Sequence, residues 1–158
     1  MRIIDNRALL VETREPAAIT GTIKKSALME HYKGTSKVAV HWGLKEAQAL
    51  IELGYHDVPS PILREYEWTG RLSPFAHQKT TASFLSLHRK AFCFSEAGTG
   101  KTASVIWAAD YLMKRGLVKR VLVLCPLSIM KAAWQADLFK FAMHRSCSVA
   151  HGDRKSVG

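Results

Sequence analysis

Acidic residues are scarce in this chain, 13 Asp plus Glu against 23 Lys plus Arg, which leaves a formal net charge of +10 and a sequence pI near 9.8. Cysteine is nearly absent too. Cys93, Cys125 and Cys147 lack the close spacing of a metal-ligand set and all fall in apolar runs read as strands, so buried, reduced thiols in a reducing compartment are expected. No apolar run approaches the roughly 18 residues that a membrane span needs, and Met1–Asn6 lacks the apolar segment of a signal peptide. A cytoplasmic chain, or one in the host cytoplasm if the source is viral, is therefore expected, and a membrane or secreted protein is not. Internal repeats and low-complexity tracts are missing as well.

What is present suffices for a folded core. A length of 158 residues suits one domain or a lobe with a small appendage, and a 47% hydrophobic content is far from that of a disordered tail. The excess positive charge makes a polyanion a natural partner, because Lys and Arg that contact phosphates release counterions. Its basic pairs, Lys24-Lys25, Arg89-Lys90, Lys114-Arg115, Lys119-Arg120 and Arg154-Lys155, are dispersed, so nucleic acid binding is supported only by the total charge.

The most specific segment is Ser95-Glu96-Ala97-Gly98-Thr99-Gly100-Lys101-Thr102. It matches the phosphate-binding (Walker A) pattern G-x-x-x-x-G-K-[ST] except at its first position, where Ser95 stands for glycine. Glycines 98 and 100 permit positive φ, so that successive N–H groups can form a nest around anionic oxygens at a helix N-terminus. Lys101 is placed to reach the β- and γ-phosphates of a nucleotide, and the Thr102 hydroxyl to help hold a magnesium ion that bridges them. ATP and Mg2+ are the expected cofactors, with Glu96, Ala97, Gly98, Thr99, Gly100, Lys101 and Thr102 as the cradle and Lys101 and Thr102 closest to the chemistry.

Along the chain a seam falls near Pro59-Ser60-Pro61. Upstream, residues 1–58 read as a small α/β accessory domain, with strands over 2–11 and 37–42 and a helix over 43–53 stopped by Gly54. Residues 59–72 read as an extended linker. From residue 73 to 158 the pattern predicts helix 74–86, strand 91–95, helix 100–115, strand 120–125, helix 128–142 and strand 147–151. Such alternation predicts a parallel sheet flanked by helices, an incomplete P-loop lobe, with the loops at 95–100 and 126–128 meeting at the carboxyl ends of the strands. Pro126 would end a strand, and Ser128 would cap the next helix.

Four segments in order resemble the N-terminal RecA-like lobe of superfamily 2 helicases and Swi/Snf-type DNA translocases: Phe75-Ala76-His77-Gln78 with Phe84-Leu85; Glu96 to Thr102; Leu122 to Ser128 with Trp134 and Phe141; and Val149-Ala150-His151-Gly152 with Arg154. The resemblance implies a helicase-type ATPase whose partner is nucleic acid, DNA favoured over RNA. It implies that Gln78 contacts adenine, for which an amide that both donates and accepts is suited. Ser128 is either a contact to the nucleic acid backbone or only a helix cap. Trp134 and Phe141 are assigned to packing, and His77 and His151, with no metal partner in view, to structure. The family's Asp-Glu box has no counterpart in the chain, and neither has its second lobe. The expectation is the amino-terminal portion of a larger ATPase, or a truncated product, that binds ATP but hydrolyses it poorly alone. A non-helicase P-loop ATPase or kinase fragment, and a basic nucleic-acid-binding module without ATPase activity, are the alternatives.

Overall fold

The computed structural model describes residues 1–151, and the chain divides into two compact units. One comprises Met1–Glu65 with Leu87–Lys90; the other comprises Tyr66–Ser86 and the described residues from Ala91 onward.

The first unit is built on a four-stranded antiparallel sheet of order β1-β2-β4-β3, with β1 at Arg2–Ile4, β2 at Ala8–Thr13, β3 at Ser26–Tyr32 and β4 at Thr35–His41. Residues 2–11, read as one strand, are two: Asp5 and Asn6 take positive φ and reverse the chain, a conformation that these two residue types tolerate. Leu9 faces Val40 and Val11 faces Val38 across the central pair, all fully or almost fully buried. These cross-strand contacts are the unit of sheet stability. Strand β3 has no counterpart among the expected strands: nearly all of its residues are exposed, so it carries no two-residue apolar alternation, and a bulge shifts its register between Leu28 and Glu30. Its signature is the turn instead. Lys33 and Gly34 both have positive φ between Tyr32 and Thr35, as a two-residue hairpin requires. Helices α1 (Pro16–Thr22) and α2 (Leu44–Glu52) bury Ile19, Leu44, Ala47 and Leu50, and Trp42 donates its indole N–H to the Pro59 carbonyl at 2.8 Å. The short helix α3 covers Ile62–Glu65.

The second unit differs from expectation. The only sheet among the described residues is the antiparallel one of the first unit, so a parallel sheet flanked by helices is not the fold. Residues 91–95, 120–125 and 147–151 form no ladder. Phe92, Phe94, Leu122 and Leu124 stand 82%, 91%, 83% and 86% exposed, where a strand of a parallel sheet would be covered on both faces. The apolar runs record what these segments would bury, and no described strand lies alongside to pair with them. Cys93 and Cys147 are accordingly exposed and Cys125 half-buried, not buried as expected. Gly152 and Arg154, part of the fourth resembling segment, and the Arg154-Lys155 pair lie outside the described residues.

The helices do form: α4 at Ala76–Leu87, α5 at Lys101–Lys114, and a continuous helical stretch made of α6 (Leu127–Ile129), a wide π turn over Met130–Gln135 and α7 (Ala136–Phe141). Leu127 is the first helical residue and Pro126 the cap, so Ser128 lies inside the helix and does not cap it. Helix α5 packs on α7 around Trp107, which is fully buried, edge-on to Trp68 and Phe141, with its indole N–H on the Thr69 carbonyl at 2.8 Å. Phe141 is thus a packing residue of this cluster, while Trp134 is half-buried in the π turn.

Gly70 lets the chain approach α7. Its φ is +105°, and a Cβ there would lie 2.6 Å from the Lys140 carbonyl oxygen and 2.9 Å from the Phe141 Cα. Both neighbours are backbone and cannot give way. Gly70→Ala should therefore lose about 2 kcal/mol of unfolding free energy in urea titrations followed by tryptophan fluorescence, within the range for strained backbone positions.

Candidate nucleotide-binding site

The loop at 95–102 ends on a helix of 14 residues, long enough to present a defined N-terminus. Gly100 is the N-cap of α5 with φ 74° and ψ 32°, and Gly98 has φ 76°. Two left-handed residues thus flank Thr99, the alternation from which backbone nests are made. At Gly98 glycine is needed for the angle alone, since a Cβ would meet nothing within 4 Å. At Gly100 a Cβ would in addition run into the Gln78 side-chain amide, which would have to move aside.

Lys101 folds back over the loop and donates to the carbonyls of Ser95 at 2.6 Å and Glu96 at 2.7 Å. An ammonium has three donors, so one is left over. The Thr99 hydroxyl donates to the Glu96 carbonyl at 2.8 Å and closes the turn that contains Ala97. Thr102, half-buried on the first turn of α5, has no hydrogen bond from its hydroxyl among the described residues. Below its ordinary value sits the Cys93 thiol, held there first by its hydrogen bond with the Ser95 hydroxyl, then by the Ser95 backbone, with Lys101 adding its charge.

Helix α4 meets this loop through consecutive residues. The His77 Nε2 lies 2.8 Å from the Thr99 carbonyl, and the Gln78 Nε2 donates to the Gly100 carbonyl at 3.3 Å. Oε1 of Gln78 accepts from the backbone N–H of Phe75 at 2.9 Å, and the residue is buried. Gln78 and the loop from Ser95 to Lys101 therefore form one hydrogen-bonded cluster. Ser128, exposed, stands outside that cluster, and the sheet edge expected to join the 126–128 loop to it is not there.

The strongest electrostatic feature of this unit was missed in the sequence. Asp110, buried on α5, accepts hydrogen bonds from the Tyr66 hydroxyl, the His144 Nε2 and the Arg145 Nε, each at 2.7 Å, with the Lys114 ammonium at 3.5 Å. Burial alone would raise its pKa, but the three hydrogen bonds and the charge of His144 outweigh that and hold the carboxyl below the usual range. Tyr66 is pushed well above the ordinary tyrosine value, first by burial, with its bond to Thr69 opposing and Asp110 adding. One signal existed in the sequence: Asp110 interrupts an otherwise apolar helix face, a position where a charge needs partners.

No protein-family model, curated protein or solved structure matches this chain.

Removing the negative charge from the buried Asp110 takes the counterion from the part-exposed Arg145 and Lys114 and puts an amide donor against groups that themselves donate. Asp110→Asn should destabilise the protein by about 3 kcal/mol in chemical denaturation at neutral pH. Because the folded pKa of Asp110 lies below the unfolded value, its contribution is complete above the ordinary carboxylate pKa and is lost as pH falls through the lowered one. Wild-type stability should thus drop more steeply than that of Asp110→Asn below about pH 5.

Proposed function

We propose that this chain is an ATP-binding module of a nucleic-acid-dependent ATPase of the helicase or translocase class, acting in the cytoplasm. The observation that carries the reading is the loop itself: two left-handed glycines, a helix N-terminus and a lysine folded back onto the Ser95 and Glu96 carbonyls, all within residues 95–102. Together these supply the donors and the positive charge that a triphosphate needs. Lys101 would contact the β- and γ-phosphates with its third donor, and the Thr102 hydroxyl would ligate Mg2+. The net charge of +10 supports a polyanionic partner, DNA ahead of RNA, and the order of the resembling segments supports the ATPase class.

Efficient hydrolysis needs a carboxylate free to position the metal and the attacking water. Asp110, the buried carboxylate on the helix that follows the loop, is saturated by Tyr66, His144 and Arg145. An adjacent Asp-Glu pair does not occur in the sequence. Binding without appreciable turnover by this chain alone is the expected behaviour.

Calorimetric titration with Mg-ATP tests the reading. Lys101→Ala should weaken binding roughly 10- to 100-fold, the loss expected for charge-assisted hydrogen bonds to phosphate. Equal affinity in variant and wild type would remove the loop from the account. In a phosphate-release assay the wild-type chain should turn over little ATP even with DNA present; robust DNA-stimulated hydrolysis would contradict the incomplete-site argument.

A further inference from the structure

We propose that His77 and Gln78 are positioning residues that aim the amide donors of Gly100 and Lys101, so that Gln78 serves the triphosphate and not the base. The proposal rests on the phosphate-site reading given above. Its starting point is the geometry of a trans peptide, in which the C=O and the following N–H point in opposite directions across one plane. No cis peptide occurs in the described residues. The Thr99 carbonyl is held by His77 at 2.8 Å, which turns the Gly100 N–H to the other side. The Gly100 carbonyl is held by Gln78 at 3.3 Å and by the backbone N–H of Ser104 at 3.3 Å, which turns the Lys101 N–H outward from the start of α5. Two successive donors are thereby fixed in direction before any anion arrives. A nest whose carbonyls are tethered loses less conformational entropy when it closes on a ligand.

The side chains that do the holding are themselves held. A carbonyl can only accept, so His77 donates from Nε2, and its ring lies parallel to that of Phe75, 5.7 Å away at 10°. Gln78 stands three residues after Phe75, which precedes α4, and accepts that residue's N–H, as the third residue does in one half of a capping box. Its amide oxygen thus fastens the start of one helix and its amide nitrogen the start of another. An amide committed at both ends inside the unit, and buried, is a poor reader of an adenine edge.

Inorganic tripolyphosphate, which has no base, separates the two roles. Binding of Mg-ATP, Mg-GTP and Mg-tripolyphosphate is measured by calorimetry for wild type, Gln78→Met, His77→Leu and His77→Gln, with thermal melts to confirm folding. The expected result is that Gln78→Met and His77→Leu weaken all three ligands by the same factor, about 3- to 10-fold, as for loss of one neutral hydrogen bond, with the ATP-to-GTP ratio unchanged. His77→Gln, which keeps a donor, should recover most of the loss. If Gln78→Met weakens ATP but leaves GTP and tripolyphosphate unchanged, Gln78 reads the base and the proposal is overturned for it. His77→Leu with unaltered affinity for all three overturns it for His77. Should wild type bind none of the three, with Lys101→Ala no different, the phosphate site itself falls and the positioning roles fall with it.

Discussion

An ionised carboxylate taken out of water costs several kcal/mol unless its lone pairs are met by donors and its charge by cations. The second unit carries such a group at Asp110, and it is tolerated because Tyr66, His144 and Arg145 converge on it. Those partners come from two places distant in sequence: the extended segment before α4 and the chain just past the end of α7. One carboxylate therefore ties both to α5. The aromatic cluster of Tyr66, Trp68, Trp107, Tyr111 and Phe141 supplies apolar burial, yet apolar contact is non-directional. Directional bonds at 2.7 Å specify which side of α5 each segment meets.

Helix α5 thereby has two occupations. Asp110 lies nine residues beyond Lys101, about 13 Å along the axis at 1.5 Å per residue, so the same rod that is anchored by the carboxylate presents the glycine loop at its start. At that end, His77 and Gln78 hold carbonyls, while Lys101 holds two more. The loop's polar groups are satisfied mainly by neighbours within the helix–loop–helix assembly. The start of α5 thus combines left-handed glycines at 98 and 100 with carbonyls held by α4.

That division explains what could be read in the sequence. The left-handed conformation of Gly98 and Gly100 was legible because it depends on neighbours within a few residues, and α4 and α5 were legible because helical hydrogen bonds are internal to the segment. Residues 91–95, 120–125 and 147–151 were misread for the opposite reason: a strand exists only with a partner, and the apolar runs around Phe92 and Leu122 say nothing about whether one is alongside. Strand β3 failed in the reverse sense, pairing with β4 although its exposed side chains give no pattern. Asp110 was overlooked since Tyr66 and His144 are 44 and 34 positions away.

Gln78 shows how a local and a distant role can share one side chain. The oxygen of Gln78 serves its own helix, accepting the Phe75 N–H just before the first turn of α4. Only its nitrogen reaches beyond the helix, and what it finds is the Gly100 carbonyl. Glycine at 100 is what permits this approach, since a Cβ would collide with the Gln78 amide. The requirement for glycine at that point is thus twofold, the left-handed angle that starts α5 and the space through which α4 grips the loop. A side chain at residue 100 would disturb both at once, so the cap of one helix and the loop at the start of the other are constrained by a single missing methyl group.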